Sequence, residues 1–392
     1  MKKNKFILIV IIISLITIIF GVVFGNMLFN EEQELLLEEE VVTENRVSFV
    51  GVGDNLLHST VYKDAKTSSG SYDFTNMYSE VKPLISQSDI AFINQETPIA
   101  GTDMGLSNYP LFNGPTEVAQ NLEDVGFDLA SLATNHSLDK GVEGLERTYE
   151  AFAKTDILTA GSATSQEMSN EIVTFEKNGI TFSFLAYTYG TNGMSANNDY
   201  SVSYLEKEKI TKDIEKAKLI SDSVIVSAHW GNENVFEPTE FQEEFAQLFA
   251  DLEVDVVIGH HPHTIQPVEW KTGIKGNQTL IVYSLGNFVG NMLSVDNSIA
   301  GMISFDFLKK SDTNDVTIEN VEWIPLVIHF EGSESVGNSK NFMVYPLEKY
   351  TQELSEKHFL DGYNQQRVTV DYIYKRTKET INEEFYTQKN KE

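Results

Sequence analysis

Read for its apolar and polar positions, the chain repeats one unit from residue 47 onward: an apolar or β-branched run, a polar turn, and often a helix. Runs at Val47–Val52, Asp89–Ile93, Phe127–Ala133, Ser223–Ala228, Val254–Ile258 and Thr279–Tyr283 have the length and composition of buried strands. Helical patterns lie between them. Val142, Leu145, Tyr149 and Phe152 share one helical face, as do Ile210, Ile214, Ala217 and Ile220. Thr239-x-x-Gln242 has the form of a capping box, opening a helix with the apolar stripe Phe241, Phe245, Leu248, Phe249 and Leu252. Asn178-Gly179 joins Ile172–Phe175 to Ile180–Leu185 as a two-residue hairpin. A second hairpin is read in Ile299–Phe307 and Val316–Ile324, across a polar link at Lys309–Asp315. Strands alternating with helices, plus antiparallel hairpins, predict an α/β fold with a mixed sheet, or two sheets packed face to face between helices. There is no internal repeat. Beyond about Phe330 the pattern weakens, and residues 340–392 are charged, partly helical in pattern and without a motif.

The amino end has a different pattern. Lys2, Lys3 and Lys5 precede an uncharged, mostly apolar run from Phe6 to Phe29, and acidic residues begin at Glu31. About 20 apolar residues span a bilayer. A cleavable signal peptide has an apolar core of only ~7–15 residues and a small-residue cleavage site, and neither fits. The expected organisation is therefore a basic tip at 1–5 in the cytoplasm and a single-pass signal anchor at 6–29. An acidic stalk at 30–45, a folded domain at 46–330 and a C-terminal extension of unassigned role at 331–392 follow, with the main domain outside the cell membrane.

Composition narrows the partners. The 392 residues, 41% hydrophobic, can bury one large core or two smaller ones. A formal net charge of −29 argues against nucleic acid or anionic lipid as the main partner. With no cysteine, disulfides, thiolate metal ligands and a lipobox anchor are excluded. No phosphate-binding Gly-x-x-x-x-Gly-Lys-Ser/Thr loop is present, which argues against ATP-driven ligation.

The candidate chemistry lies where the strands end. Of eight histidines, six (His58, His136, His229, His260, His261 and His263) lie at or shortly after the end of an apolar run. Asp54, Glu96, Asn135, His229, His261 and His263 form a mixed oxygen and nitrogen set, with His58 and His260 as further candidates. Carboxylate, amide oxygen and imidazole together suit a divalent transition metal, Mn, Fe or Zn, as one ion or two. A bridging carboxylate between ions ~3.5–4 Å apart is the usual two-metal arrangement. Singly, each signal has an ordinary reading: an Asp after Gly caps a helix, Asn-His forms a turn, His-Trp packs as an aromatic pair. Their common place at strand ends is what points to a metal centre.

Gly53-Asp54, Asn94-x-Glu96, Asn135-His136, His229-Trp230-Gly231, Gly259-His260-His261-Pro262-His263 and Tyr283-Ser284-Leu285-Gly286-Asn287-Phe288 resemble, in order and rough spacing, the CapA capsule-biosynthesis family over about residues 46–330. That family includes the membrane-anchored component of poly-γ-glutamate synthesis and export in Gram-positive bacteria. It is similar to the calcineurin-like metallophosphoesterases, so the resemblance implies a four-layer α/β/β/α sandwich. It further implies that Asp54 and His263 hold a first metal, that Glu96 bridges, and that Asn135, His229 and His261 hold a second. His136 would be the acid that stabilises or protonates the leaving oxygen. His261 is preferred to His260 because it keeps the His-x-His spacing with His263.

Three positions depart from the wider superfamily. Asp54 is followed by Asn55 and Leu56 instead of Asp-x-His, His58 fits only if its loop returns, and Ser137 stands where an acidic residue often orients the catalytic histidine. The implied function is a metal-dependent hydrolase of a phosphate ester or γ-glutamyl amide in capsule synthesis or export, working with other synthase or export subunits. The alternatives are a non-catalytic, metal-containing subunit that binds the anionic polymer, and a wall-polymer or nucleotide phosphoesterase unrelated to capsule.

Overall fold

The N-terminal helix runs Lys2–Leu37 in a computed structural model that describes residues 2–37, 44–311, 315–332 and 335–386. Its Val10–Leu28 segment is long and apolar enough to cross a membrane, 19 residues or about 28 Å at 1.5 Å each. The side chains of this segment are exposed. By length and composition the helix is a candidate membrane anchor. The helix continues through Leu37, into the expected acidic stalk, and residues 38–43 of that stalk lie outside the described residues.

From Asn45 the chain forms a separate folded unit. Its strands are β1 (Glu44–Asn55), β2 (Ile90–Asn94), β3 (Leu129–Ser131), β4 (Leu158–Ala160), β5 (Val173–Lys177), β6 (Ile180–Thr188), β7 (Ser223–His229), β8 (Val256–His260), β9 (Val268–Thr272), β10 (Gln278–Val282), β11 (Asn287–Val289), β12 (Ile299–Lys310), β13 (Val316–Glu331) and β14 (Lys340–Pro346). They make two sheets. One has the order β14-β13-β12-β1-β2-β3-β4, with β11 also paired to β1; the other has the order β5-β6-β7-β8-β10-β9. Strands β1 to β4 run parallel, as do β6, β7, β8 and β10. The antiparallel parts are the edges, including both hairpins read from the sequence. In the first hairpin Asn178 (φ 47°) and Gly179 (φ 77°) both take the left-handed backbone that a type I′ turn requires.

The sheets pack face to face through aromatic rings. Phe92 of β2 meets Phe184 of β6 edge to face, with ring centroids 5.8 Å apart, and Phe182 meets Phe307 at 4.9 Å. Each such buried ring contributes about 1.5–3 kcal/mol by burial. The outer face of the second sheet is covered by the helices Lys207–Ala217 and Glu240–Asp251, whose Ile210, Ile214, Phe245 and Phe249 pack on Val226, Val257 and Ile281. The capping box at Thr239 and Gln242 is present in both directions and contributes about 1 kcal/mol. Leu122 and Phe152, from the helices Glu117–Val125 and Gly141–Phe152, join the core of the first sheet. The result is the expected helix–sheet–sheet–helix sandwich.

Strand ends differ from the apolar runs in one consistent way. β1, β2, β7 and β8 run on past their apolar cores to include Asp54, Asn94, His229 and His260 as paired residues. β13 runs to Glu331, and the residues after it continue the same core: Phe342 and Val344 of β14, Leu360, Val368, Ile373 and Phe385 are all buried in it. The two histidines beyond residue 300 serve this packing. His358 Nε2 bonds Ile328 O (3.0 Å) while its Nδ1 accepts the Leu360 N–H, and His329 Nδ1 meets the Tyr350 hydroxyl at 2.9 Å.

Candidate metal centre

Strand register brings the predicted residues together. Asp54 pairs with Asn94 across β1 and β2, and Asn94 with Ser131 across β2 and β3; His229 pairs with His260 across β7 and β8. The carboxyl ends of the parallel strands therefore stop at one level in each sheet, and the turns after them carry Glu96, Asn135, His261 and His263. All eight candidates except His58 are at most 5% exposed.

Asp54 is the hub. Its Oδ1 accepts from Asn94 Nδ2 (2.8 Å) and its Oδ2 from the backbone N–H of His261 (3.2 Å). His260 Nδ1 lies 3.2 Å from Oδ1, and His263 Nδ1 3.2 Å from Oδ2. His263 Nδ1 is also 2.9 Å from Asn287 Oδ1, which leaves its Nε2 to face Glu96 Oε1 at 3.6 Å. On the far side His229 Nε2 meets Asn135 Oδ1 at 3.0 Å and stands 3.9 Å from Glu96 Oε1. One carboxylate oxygen, one His261 nitrogen and one His263 nitrogen, with Glu96 supplying the oxygen, lie within 4.8 Å of one another. His260 instead packs behind Asp54, its ring 5.5 Å from that of Phe92. His261 is thus the histidine that joins His263 at Glu96.

The cluster is short of partners. Both oxygens of Glu96, Asn94 Oδ1, His260 Nε2 and His261 Nδ1 are buried without a hydrogen bond. Each such group costs about 1–3 kcal/mol, and a charged one more. Buried carboxylate oxygens and imidazole nitrogens left without hydrogen-bond partners fit a divalent cation. The electrostatics agree. Burial would raise the Asp54 carboxyl, but the neighbouring His260 and His263 outweigh it and hold it well below the usual range. Burial pushes Glu96 well above that range, with His263 opposing and Asp54 adding to the effect. Burial also lowers His261 to about 3 and His229 well below its ordinary value, so both are neutral nitrogen donors. In His263 burial is overcome by Glu96 and Asp54, which lift the ring to about 10. Positive charge is therefore favoured between the two carboxylates, where His263 stands.

His136 stands apart from this set. Its Nδ1 is 2.7 Å from Asp139 Oδ2, which also accepts the Phe112 N–H at 2.6 Å. The acidic partner missing at Ser137 is supplied by Asp139, and Ser137 instead bonds the turn through Leu132 O and Thr134 N. The Phe112 ring packs edge-on against His136 (4.7 Å) and His58 (5.3 Å). The loop sets His58 against the same Phe112 ring as His136. His58 Nδ1 accepts the Asn291 N–H (3.1 Å), and burial lowers the ring to about 4, with the charges of His263 and His136 adding to that. Asn55, in the Asp-Asn-Leu departure, turns into the body, bonding Gln95 Oε1 and the Tyr78 hydroxyl.

Sequence reasoning assigned no role to Asn94, Asn287, Asp139 or Tyr189. Asn94 and Asn287 orient Asp54 and His263 from inside quoted motifs, and the spacing of Asp139 three residues after His136 was a usable signal. Tyr189, whose ring lies 4.7 Å from His261, had none. Gly259 is explained by crowding: a Cβ there would fall 2.0 Å from Tyr283 O and 2.6 Å from Trp230 Nε1, which donates to that same carbonyl.

A two-sheet α/β sandwich with imidazoles, carboxylates and an amide gathered at its strand ends defines the class as one with a buried, metal-ready centre. Residues 48–292 match the family described as bacterial capsule synthesis protein PGA_cap, and the chain belongs to that family. It is 29% identical over 263 residues to the PGA biosynthesis protein CapA of Bacillus subtilis, covering 65% of each chain. It is also 29% identical over 231 residues to the capsule biosynthesis protein CapA of Bacillus anthracis, covering 56% of this chain and 54% of that one. The matches thus span less than two thirds of either relative's length. Among solved structures, a Mycoplasma pneumoniae phosphatase shows 16% identity and a TM-score of 0.46, covering 73% of this chain and 95% of that one. A putative 5'-nucleotidase from Staphylococcus aureus gives the same identity and score, covering 71% and 54%. Likenesses of that size carry no weight for function.

Proposed function

We propose that the chain is a metal-dependent hydrolase acting in capsule synthesis or export, on a γ-glutamyl amide or a phosphate ester. The N-terminal helix would hold it at the cell membrane with its N-terminus in the cytoplasm and the folded unit outside. The family and the Bacillus relatives named for PGA and capsule biosynthesis support the capsule role. The observation that carries the hydrolase reading is the pairing of an under-partnered cation site with His136, a histidine outside that site whose Nδ1 is held by Asp139. Glu96, His261 and His263, with Asp54, His229 and Asn135, would hold Mn, Fe or Zn. A bound divalent ion supplies Lewis-acid stabilisation of charge developing on an oxygen of the substrate. Asp139 keeps Nδ1 of His136 engaged, so Nε2 is the nitrogen that gives a proton to the leaving group. Phe112, beside that ring, excludes water from it.

The test is metal dependence. The full-length protein in detergent is expected to purify with a transition metal, and chelation to lower its melting temperature. An ion at 100 times its dissociation constant stabilises the folded state by about 2.7 kcal/mol. His261→Ala combined with His263→Ala should remove the response. Wild type that takes up no ion under repletion, and shows no thermal shift with Mn²⁺ or Zn²⁺, would sink the reading. Topology is checked with reporters fused after Glu392: an export-dependent reporter should be active, and activity of a cytoplasm-only reporter would overturn the orientation.

One observation favours the non-catalytic reading. Asn55 is turned away, and no histidine follows Asp54 at the superfamily's spacing. A subunit that holds an anionic polymer through bound cations would have no use for His136, which is where the two readings part.

A further inference from the structure

The family match ends at residue 292, and the chain beyond it reaches back to the metal centre. Gln366 grips the turn Val295–Ser298 from one end, accepting the Val295 N–H (2.9 Å) and donating to Leu293 O (2.9 Å). From the helix Val370–Thr380, the Tyr372 hydroxyl donates to Asp296 Oδ1 at 2.6 Å, and Arg376 Nε lies 3.6 Å from the same oxygen. The Arg376 guanidinium also sits 4.5 Å above the Phe236 ring, on the loop between Gly231 and Thr239. The next residue of the turn, Asn297, is buried. Its Nδ2 donates to His263 O (3.0 Å) and to Asn234 Oδ1 (2.8 Å), while its carbonyl accepts from Asn287 Nδ2 (3.1 Å). Asn234 in turn donates its N–H to Pro262 O at 2.8 Å. The helix thus holds Asp296, and the adjacent Asn297, with Asn234, bonds the segment that carries His261 and His263.

That segment needs holding. His261 has φ 96° and His263 φ 56°, in the left-handed region that costs a residue with a Cβ about 1–3 kcal/mol. Local sequence does not favour such a backbone, so contacts from elsewhere must fix it. We propose that the helix Val370–Thr380 is a positioning element of the metal centre, acting through Asp296 and Asn297 on the His261–His263 turn. The inference rests on the reading of these histidines as ligands. It assigns a task to a part of the chain that the family match does not cover. Tyr372 and Arg376 touch neither the ion site nor substrate; they act by setting where the ligands stand. Groups that hydrogen-bond a ligand directly are typically worth about 10–100-fold in metal affinity, and Tyr372 and Arg376, one step further out, should fall at the low end.

The experiment uses the full chain with Tyr372→Phe and Arg376→Gln together, and Lys375→Ala, on the same helix and 73% exposed, as the control. Hydrogen exchange in chelator reads the turn without any metal. The amides of His261 and Asn234 should exchange several-fold faster than in wild type, with those of β6 and β7 unchanged. Mn²⁺ or Zn²⁺ affinity should fall about tenfold, and Lys375→Ala should change neither. Exchange at His261 and Asn234 equal to wild type would overturn the proposal. So would faster exchange spread evenly over the folded unit with metal affinity unchanged, which is the mark of packing alone. If wild type itself binds neither ion, the metal reading fails, and the exchange pattern still decides whether the helix positions the turn.

Discussion

Replacing His136 with alanine is expected to lower turnover by about 10²–10⁴-fold while leaving ion content, melting temperature and membrane location as in wild type. The expectation follows from where the ring stands. Among the described residues no hydrogen bond or ion pair joins His136 to Glu96, His261 or His263, and its Nδ1 is committed to Asp139. Asn135 differs, although it is the adjacent residue, because its Oδ1 meets His229 Nε2 at 3.0 Å. Asn135→Ala should therefore lose metal first and function with it. With the substrate unassigned, turnover is read as complementation in a strain lacking the gene, with expression checked. A hydrolase should fail with His136→Ala. A polymer-holding subunit should tolerate it and fail only when a ligand is removed, so full complementation by His136→Ala would discard the hydrolase. Asp139→Asn should follow His136→Ala in direction, because the carboxylate oxygen that holds both His136 Nδ1 and the Phe112 N–H would be replaced by an amide that can present its NH2 there.

The largest structural effect is expected from Gly53→Ala. The added Cβ would fall 1.9 Å from Gly286 O and 2.8 Å from Gly286 C. Neither backbone can give way easily, since the Asp54 N–H donates to that same Gly286 O at 3.0 Å and Asp54 pairs with Asn287 across β1 and β11. Relief would require parting β1 from β11, which draws Asp54 away from Asn287, so that His263 Nδ1 can no longer meet both. The cost should exceed the about 1–3 kcal/mol usual for an overpacked core. Urea unfolding of Gly53→Ala beside Gly190→Ala measures it, because Gly190 has nothing within 4 Å of its Cβ position. Equal midpoints for the two variants would show that the close approach is not a constraint.

Much of the fold was readable because its signals are local. The Asn178-Gly179 turn, the Thr239/Gln242 capping box and the strand-end motifs each depend on a few neighbouring residues, and each is found where the sequence places it. What depends on pairing between distant strands was not readable. Nothing in Val47–Val52 says that β12 lies on one side of it and β2 on the other, or which strands go to which of the two sheets. The choice of His261 over His260 rests on the pleat: His260 ends β8 and points behind Asp54, whereas His261 has left the strand at φ 96°. Asp139 lies two residues past Ser137, the position where an acidic partner is expected, and only the turn brings it back to the His136 ring. The C-terminal part was opaque for a different reason. β14 shows the alternation of a half-buried strand only at Phe342, Val344 and Pro346, too short a run to stand out beside charged neighbours.

The division of the strands between two sheets carries a consequence for the choice of ion. Asp54, Glu96 and Asn135 all arise from β1, β2 and β3 of one sheet, and His229, His261 and His263 all arise from β7 and β8 of the other. Among the six proposed ligands, then, every oxygen comes from one half of the sandwich and every nitrogen from the other. A cation content with oxygen alone, such as Mg²⁺ or Ca²⁺, would engage one half and leave the imidazoles opposite it idle. An ion that takes both donor types fastens the halves together at the seam where their strands end.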